Sequence, residues 1–165
     1  MKAPLCNVCL NSDILCMACK KKLDEGKITE SDIKVSKVIN EISKTFKPLK
    51  EVEIKKVIEG EKISVIVCRK GDGARLVGKD GVMIKKLSKL VEKPLRVVEE
   101  SEDVREFIQN LVNPIPVIGL NIIYKPEKEV LKVIIPRGRK IPMSKGSFAE
   151  VVNLMFGKDS VVMNE

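Results

Sequence analysis

Four of the five cysteines lie within the first 19 residues, as Cys6-Asn7-Val8-Cys9 and Cys16-Met17-Ala18-Cys19, two C-x-x-C pairs six residues apart. That spacing delivers four soft thiolates from two tight turns, the donor set of a tetrahedral metal site. Zn²⁺ is the metal expected at Cys6, Cys9, Cys16 and Cys19. An iron–sulfur centre and a disulfide framework are the alternatives, the second disfavoured in a reducing compartment. Thiolates at every coordination position leave no place for water or substrate, so the predicted site is structural. A segment of about twenty residues cannot bury a core of its own, and the metal would supply the folding free energy of this knuckle, residues 1–27. The intervening loop is shorter than in common zinc ribbons, and the finger class stays open. The run Lys20-Lys21-Lys22 reads equally as a solvated helix face or a nucleic-acid contact.

Composition narrows the function classes. The chain has 165 residues, 44% of them hydrophobic, and 31 Lys and Arg against 23 Asp and Glu, a formal charge of +8. That suits one large or two small folded domains. Neither His nor Trp occurs, which removes Ser-His and Cys-His arrangements, imidazole ligands and the usual general base; no enzymatic activity is expected. No run of 18 apolar residues occurs, and Met1-Lys2-Ala3-Pro4 leads straight into the cysteines. Neither a membrane span nor a signal peptide is expected, and a cytoplasmic location is predicted.

Beyond the cysteines the pattern predicts an α+β fold. Ser31-Asp32 is a plausible helix start, and Ile33, Val35, Val38, Ile39, Ile42 and Phe46 recur at helical spacing up to Pro48. Two Val- and Ile-rich strands, 51–59 and 62–69, come next around the turn Glu59-Gly60-Glu61, with Cys68 as a small buried hydrophobe. Residues 71–84 fit two short helices joined by Gly78-Lys79-Asp80-Gly81. The second would bury Ile84, Leu87, Leu90 and Val91 and turn Lys85, Lys86, Lys89 and Lys93 outward, until Pro94 stops it before a strand at 95–99. A second cycle begins with a helix from Glu102-Asp103 to Val112. Strands at 117–124 and 130–135, a helix at 147–156 and a strand at 160–163 complete it. The predicted domains are 1–27, 28–100 and 101–165.

The stretch Val77-Gly78-Lys79-Asp80-Gly81-Val82-Met83-Ile84 resembles the (V/I)-G-x-x-G-x-x-I signature of KH RNA-binding domains. The flanking apolar residues, the lysine inside the motif, the preceding hairpin and the following strand make the match specific. A helix ahead of the hairpin matches the type II form (helix-strand-strand-helix-helix-strand) of the archaeal NusA-like KH proteins, over residues 31–100. Residues 101–165 look like a second, degenerate KH-like unit, in which Met143-Ser144-Lys145-Gly146 keeps only the last glycine of the loop. The resemblance implies single-stranded RNA as ligand and a role in transcription elongation or termination near RNA polymerase. On that basis Gly78, Lys79, Asp80 and Gly81 form the RNA-binding loop, and Arg75, Lys85, Lys86 and Lys89 add electrostatic attraction. The physical reasons agree: glycines lack the Cβ that would hold off a sugar–phosphate backbone, and helix N-termini attract phosphate. KH loops clamp about four nucleotides, with bases in an apolar groove between helix and sheet. Residues 69–93 carry eight basic and three acidic residues, a local +5.

Two further readings compete. The segment 73–80 nearly fits the P-loop pattern G-x-x-x-x-G-K-[ST], but Asp80 replaces the hydroxyl that binds Mg²⁺, and no parallel strand–helix–strand unit is predicted around it. Nucleotide hydrolysis is therefore not expected. The other alternative is a zinc-containing adaptor that binds a partner in a transcription or translation complex, RNA polymerase or a ribosomal assembly, with only incidental RNA contact. Arg137, Arg139, Lys140 and Lys145 form an acid-free run that either touches phosphates or is solvated. Residues 101–165 carry nine basic and eight acidic residues, so the first unit is expected to dominate RNA affinity.

Overall fold

Each cysteine pair opens a helix. In the computed structural model, which describes residues 1–165, Cys6 stands at the N-cap of α1 (Asn7–Leu10) and Cys16 at that of α2 (Met17–Asp24). Leu5, Leu10 and Ile28 bury themselves with Cys9 and Cys19, and Ile33 packs against this cluster. Asn40 donates to the carbonyl of Leu10 (3.2 Å) and to Asn11 Oδ1 (3.0 Å). The main chain of Lys2 accepts from Ile54 N and donates to Val52 O. The chain divides into two compact units, one of residues 1–59 and 64–100, the other of residues 60–63 and 101–165. Residues 1–27 fall within the first of these units.

In that unit α3 (Glu30–Ser43) starts at Thr29 rather than Ser31. The Thr29 hydroxyl accepts from Asp32 N (3.2 Å) and the Asp32 carboxylate accepts from Thr29 N (2.8 Å), a reciprocal cap that Ser31 could not complete. Asp32, 1% exposed, also accepts from Val57 N at 2.6 Å and so ties the helix to β1 (Ile54–Glu59). The strand is shorter than predicted because Pro48 opens a 3₁₀ turn, Lys47–Glu51. β1 runs antiparallel to β2 (Ser64–Cys68), and β2 runs parallel to β3 (Leu95–Glu99). Parallel neighbours require a long crossover, supplied by α4 (Gly73–Val77) and α5 (Val82–Val91). The expectation that no parallel pair surrounds this segment is corrected accordingly. α5 buries Met83, Leu87 and Val91, a four-residue repeat. Leu90, predicted inside, is 51% exposed, and Ile84 is half-buried. Glu92 takes a left-handed conformation (φ 62°) and ends the helix two residues before Pro94.

The second unit starts with α6 (Val104–Val112), capped by the Asp103 carboxylate, which accepts from Arg105 N at 2.8 Å. β4 (Gly119–Lys125) pairs antiparallel with β5 (Lys128–Ile135), and β5 pairs parallel with β6 (Asp159–Asn164). α7 (Lys145–Phe156) links them, and Phe156 meets Phe107 of α6 edge to face at 5.3 Å. Residues 136–144 are irregular, so one helix crosses between the parallel strands where the first unit has two. The protein is α+β with two small mixed sheets. No helix is long and apolar enough to cross a membrane.

Candidate metal centre and candidate nucleic-acid interface

The four N-terminal sulfurs converge. Sγ atoms of Cys6, Cys9, Cys16 and Cys19 all lie within 4.8 Å of one another, and Cys6 Sγ stands 3.8 Å from Cys16 Sγ. With Zn–S bonds of about 2.3 Å, the edge of a tetrahedral ZnS₄ site is about 3.8 Å, so the spacing fits that donor set. None of the cysteines is in a disulfide. The main chain tunes the thiols. Cys19 N donates to Cys16 Sγ at 3.4 Å and Cys16 N to Cys9 Sγ at 3.1 Å. The Cys9 N–H, then the Cys9 thiol, pull the Cys6 thiol down to about 6, and the Cys19 N–H pulls that of Cys16 down. The Cys16 N–H also acts downward on Cys9, but burial and the neighbouring thiols push it up to about 12. A cation among the sulfurs would pull all four thiols down and hold them as thiolates. Around the cluster Val8, Ile14 and Met17 are 71%, 79% and 90% exposed.

The second candidate site joins α4 to α5. Gly78, Asp80 and Gly81 all have positive φ (75°, 52° and 73°), which turns the chain sharply between the helices. Lys79 and Asp80 project into solvent. No side chain caps the N-terminus of α5, although a 3₁₀ turn at Lys79–Gly81 leads into it and the Val82 N–H is already taken by the Lys79 carbonyl; helix starts without a side-chain cap are of the kind that bind phosphate. The two glycines differ in their reasons. A Cβ on Gly78 would lie 2.7 Å from Met83 Cβ, so helix packing already demands that glycine; at Gly81 the nearest atom would be Ile84 Cγ2 at 3.8 Å. Only Gly81 keeps its outer face open.

The predicted basic residues divide. Lys79, Lys85, Lys86 and Lys89 are exposed and make no ion pair. Lys79 and Asp80 line a depression of about 370 Å³ with Phe46, Val82 and Met83. Lys85 and Lys89 edge an open groove of about 530 Å³ between α5 and the start of β3, floored by Ile84, Pro94 and Leu95. Lys86 lines neither. Arg75 is committed inward: Nη1 donates to Asp72 Oδ1 at 3.1 Å, and Nη2 lies 3.3 Å from Glu51 Oε2. Arg69 also pairs with Asp72 (Nε–Oδ2 3.2 Å), whose buried carboxylate accepts from Glu53 N as well. Arg69 and Arg75 are thus neutralised within the fold, and Lys93, another of the eight cations counted around the loop, pairs with Glu59 (Nζ–Oε1 3.1 Å). Phe46 and Leu95 belong to the surface although the sequence assigns neither to it: Phe46 reads there as the last residue of the helical apolar repeat, whereas α3 ends at Ser43, and Leu95 reads only as the start of a strand. The P-loop likeness does not survive, because Gly73–Val77 form α4 instead of an open phosphate-cradling loop.

Compared with solved structures, the chain is similar to the crystal structure of APE1850, with a TM-score of 0.58 and 19% sequence identity over 76% of this chain and 95% of that one. At that identity the likeness is one of fold alone. No protein-family model and no curated protein matches the chain.

Proposed function

We propose that the protein is a non-enzymatic, single-stranded-RNA-binding protein of the NusA-like type II KH kind, with a Cys₄ zinc knuckle as a structural element. The observation that carries this reading is the exposed Lys79 in a glycine turn at a start of α5 that no side chain caps, with unpaired Lys85 and Lys89 beyond it along a groove with an apolar floor and Lys86 exposed on the same helix. Phosphates would sit at the turn, where Gly81 leaves room and Lys79 supplies charge; bases would lie against Ile84, Pro94 and Leu95. Gly78 shapes the turn, and Arg75 contributes through the fold rather than by touching RNA. The helix-strand-strand-helix-helix-strand order of the first unit supports the family resemblance. Binding of nascent transcripts near RNA polymerase rests on that resemblance alone. Zinc, held by Cys6, Cys9, Cys16 and Cys19, would cross-link a segment with little core of its own.

The test is a fluorescence-anisotropy titration of short single-stranded RNAs at several salt concentrations with the native chain and the variant Lys79→Asp/Asp80→Gly. The variant keeps both glycines and relieves the positive φ at Asp80. A loss of affinity with a shallower salt slope supports the clamp; equal binding by both proteins, or binding by neither, refutes it. The exposed Val8, Ile14 and Met17 favour a second reading, an adaptor whose knuckle docks on a protein of a transcription or translation complex. A pull-down of purified RNA polymerase or ribosomes would then fail with Ile14→Ser/Met17→Ser and survive the loop variant.

A further inference from the structure

The two sheets share strand order and pairing sense, so positions at their parallel edges correspond. The last pairs are Cys68 with Glu99 in the first unit and Ile135 with Asn164 in the second. Glu99 accepts from Gly73 N at 3.0 Å and holds the start of α4. That helix places Leu76, fully buried, in the same apolar cluster as Cys68. Asn164, at the equivalent place, donates to the carbonyls of Pro136 (3.2 Å) and Arg139 (2.8 Å). It pins an irregular segment there, and no helix forms before Lys145. Where the first unit has α4, the second has a pocket of about 330 Å³. Its lining includes Ile135 and Val162, which are buried, and Ile141 and Met143, which are half-buried. Arg139, Lys140 and Lys145 also line it and are exposed. None of the three makes an ion pair, and residues 136–146 contain no acid.

We propose that this pocket takes a turn of helix from a partner protein. An aliphatic side chain of the partner fills the place that Leu76 fills in the first unit, and flanking Asp or Glu residues face Arg139, Lys140 and Lys145. Charge complementarity makes the segment acidic. The lining makes it a peptide rather than a nucleic acid. The start of α7 beside it is closed to phosphate by the Ser144 hydroxyl, which accepts from Ser147 N at 3.1 Å, and the pocket's one side-chain amide, Asn164, already spends its N–H groups on two carbonyls. Helix-in-groove docking with one apolar anchor and a charged rim is an established mode of peptide recognition. The inference is independent of RNA binding at Lys79.

The probe is a ten-residue peptide held helical by a side-chain staple, with two leucines one turn apart and glutamates elsewhere, compared with the same stapled peptide carrying lysines and with a ten-nucleotide uridine RNA. Methyl spectra of the full chain, labelled with ¹³C at Ile, Val and Met, report on Ile141, Met143 and Val162. The glutamate peptide is expected to shift these signals at low salt and the lysine peptide to leave them in place. Arg139→Glu/Lys140→Glu should weaken the glutamate peptide about tenfold, as reversal of two rim charges does; both side chains are exposed, so the variant keeps its fold. Equal binding of the two peptides would reduce the site to bare apolar adhesion and overturn the proposal. So would silence from both peptides, or a shift of these methyls by the RNA at lower concentration than by the glutamate peptide.

Discussion

Gly78 combines φ 75° with ψ 172°, a region that glycine alone fills at low cost, and an added methyl would also meet Met83 N at 3.0 Å. Gly81, with φ 73° and ψ 15°, sits in the ordinary left-handed region with open space around it. Gly78→Ala should therefore lower stability by about 2–3 kcal/mol and Gly81→Ala by only about 1 kcal/mol, read as shifts of the urea midpoint. The sequence shows two equivalent glycines in a G-x-x-G frame; the difference lies in Met83, whose inward rotation onto the turn no local pattern announces. Arg75 teaches the same lesson. Its partner Asp72 is one turn away, but Glu51 comes from the far side of the hairpin. A count of nearby charges could not separate this arginine from Lys79, Lys85, Lys86 and Lys89, which stay in solvent.

At the scale of elements, strands and helices are legible where period and punctuation agree. β3 coincides with its prediction, since Pro94 precedes it and five residues of strand character fill it. α5 is harder to read, because Ile84 and Leu90 offer a second apolar stripe beside Met83, Leu87 and Val91, and only the sheet decides which stripe is covered. The parallel pairing of β2 with β3 escapes a reading by strand composition, because crossover length is what distinguishes it from an antiparallel return. The cysteine spacing, by contrast, leads directly to a converged cluster, since two C-x-x-C turns have few other ways to close. α1 and α2 are the elements that most need a metal: α1 has four residues and α2 eight, well below the length at which helices persist unaided. Chelation with EDTA is expected to remove the helical circular dichroism of these two segments and the amide protection of Leu10 and Leu23. The amides of β2 and β5 should stay protected, and Zn²⁺ should restore the rest.

Over the whole molecule, charge and architecture point to the first unit. Residues 1–100 carry 22 basic and 15 acidic residues, and residues 101–165 add only +1, although the two sheets have the same topology. On the proposed function, a fragment of residues 1–102, prepared with Zn²⁺, should keep RNA affinity within about threefold of the full chain at equal salt, because the lysines proposed to face phosphate all lie within it; anisotropy titration would check this. The main chain of Lys2 bonds to both Val52 and Ile54, and Asn40 of α3 holds the end of α1, so the sulfur-bearing segment is stitched to β1 and to α3. Occupancy of the sulfurs and firmness of β1 are then two ends of one thermodynamic cycle. Whatever factor metal loading adds to the stability of β1, a steadier β1 returns as tighter metal affinity, up to the few kcal/mol those contacts are worth.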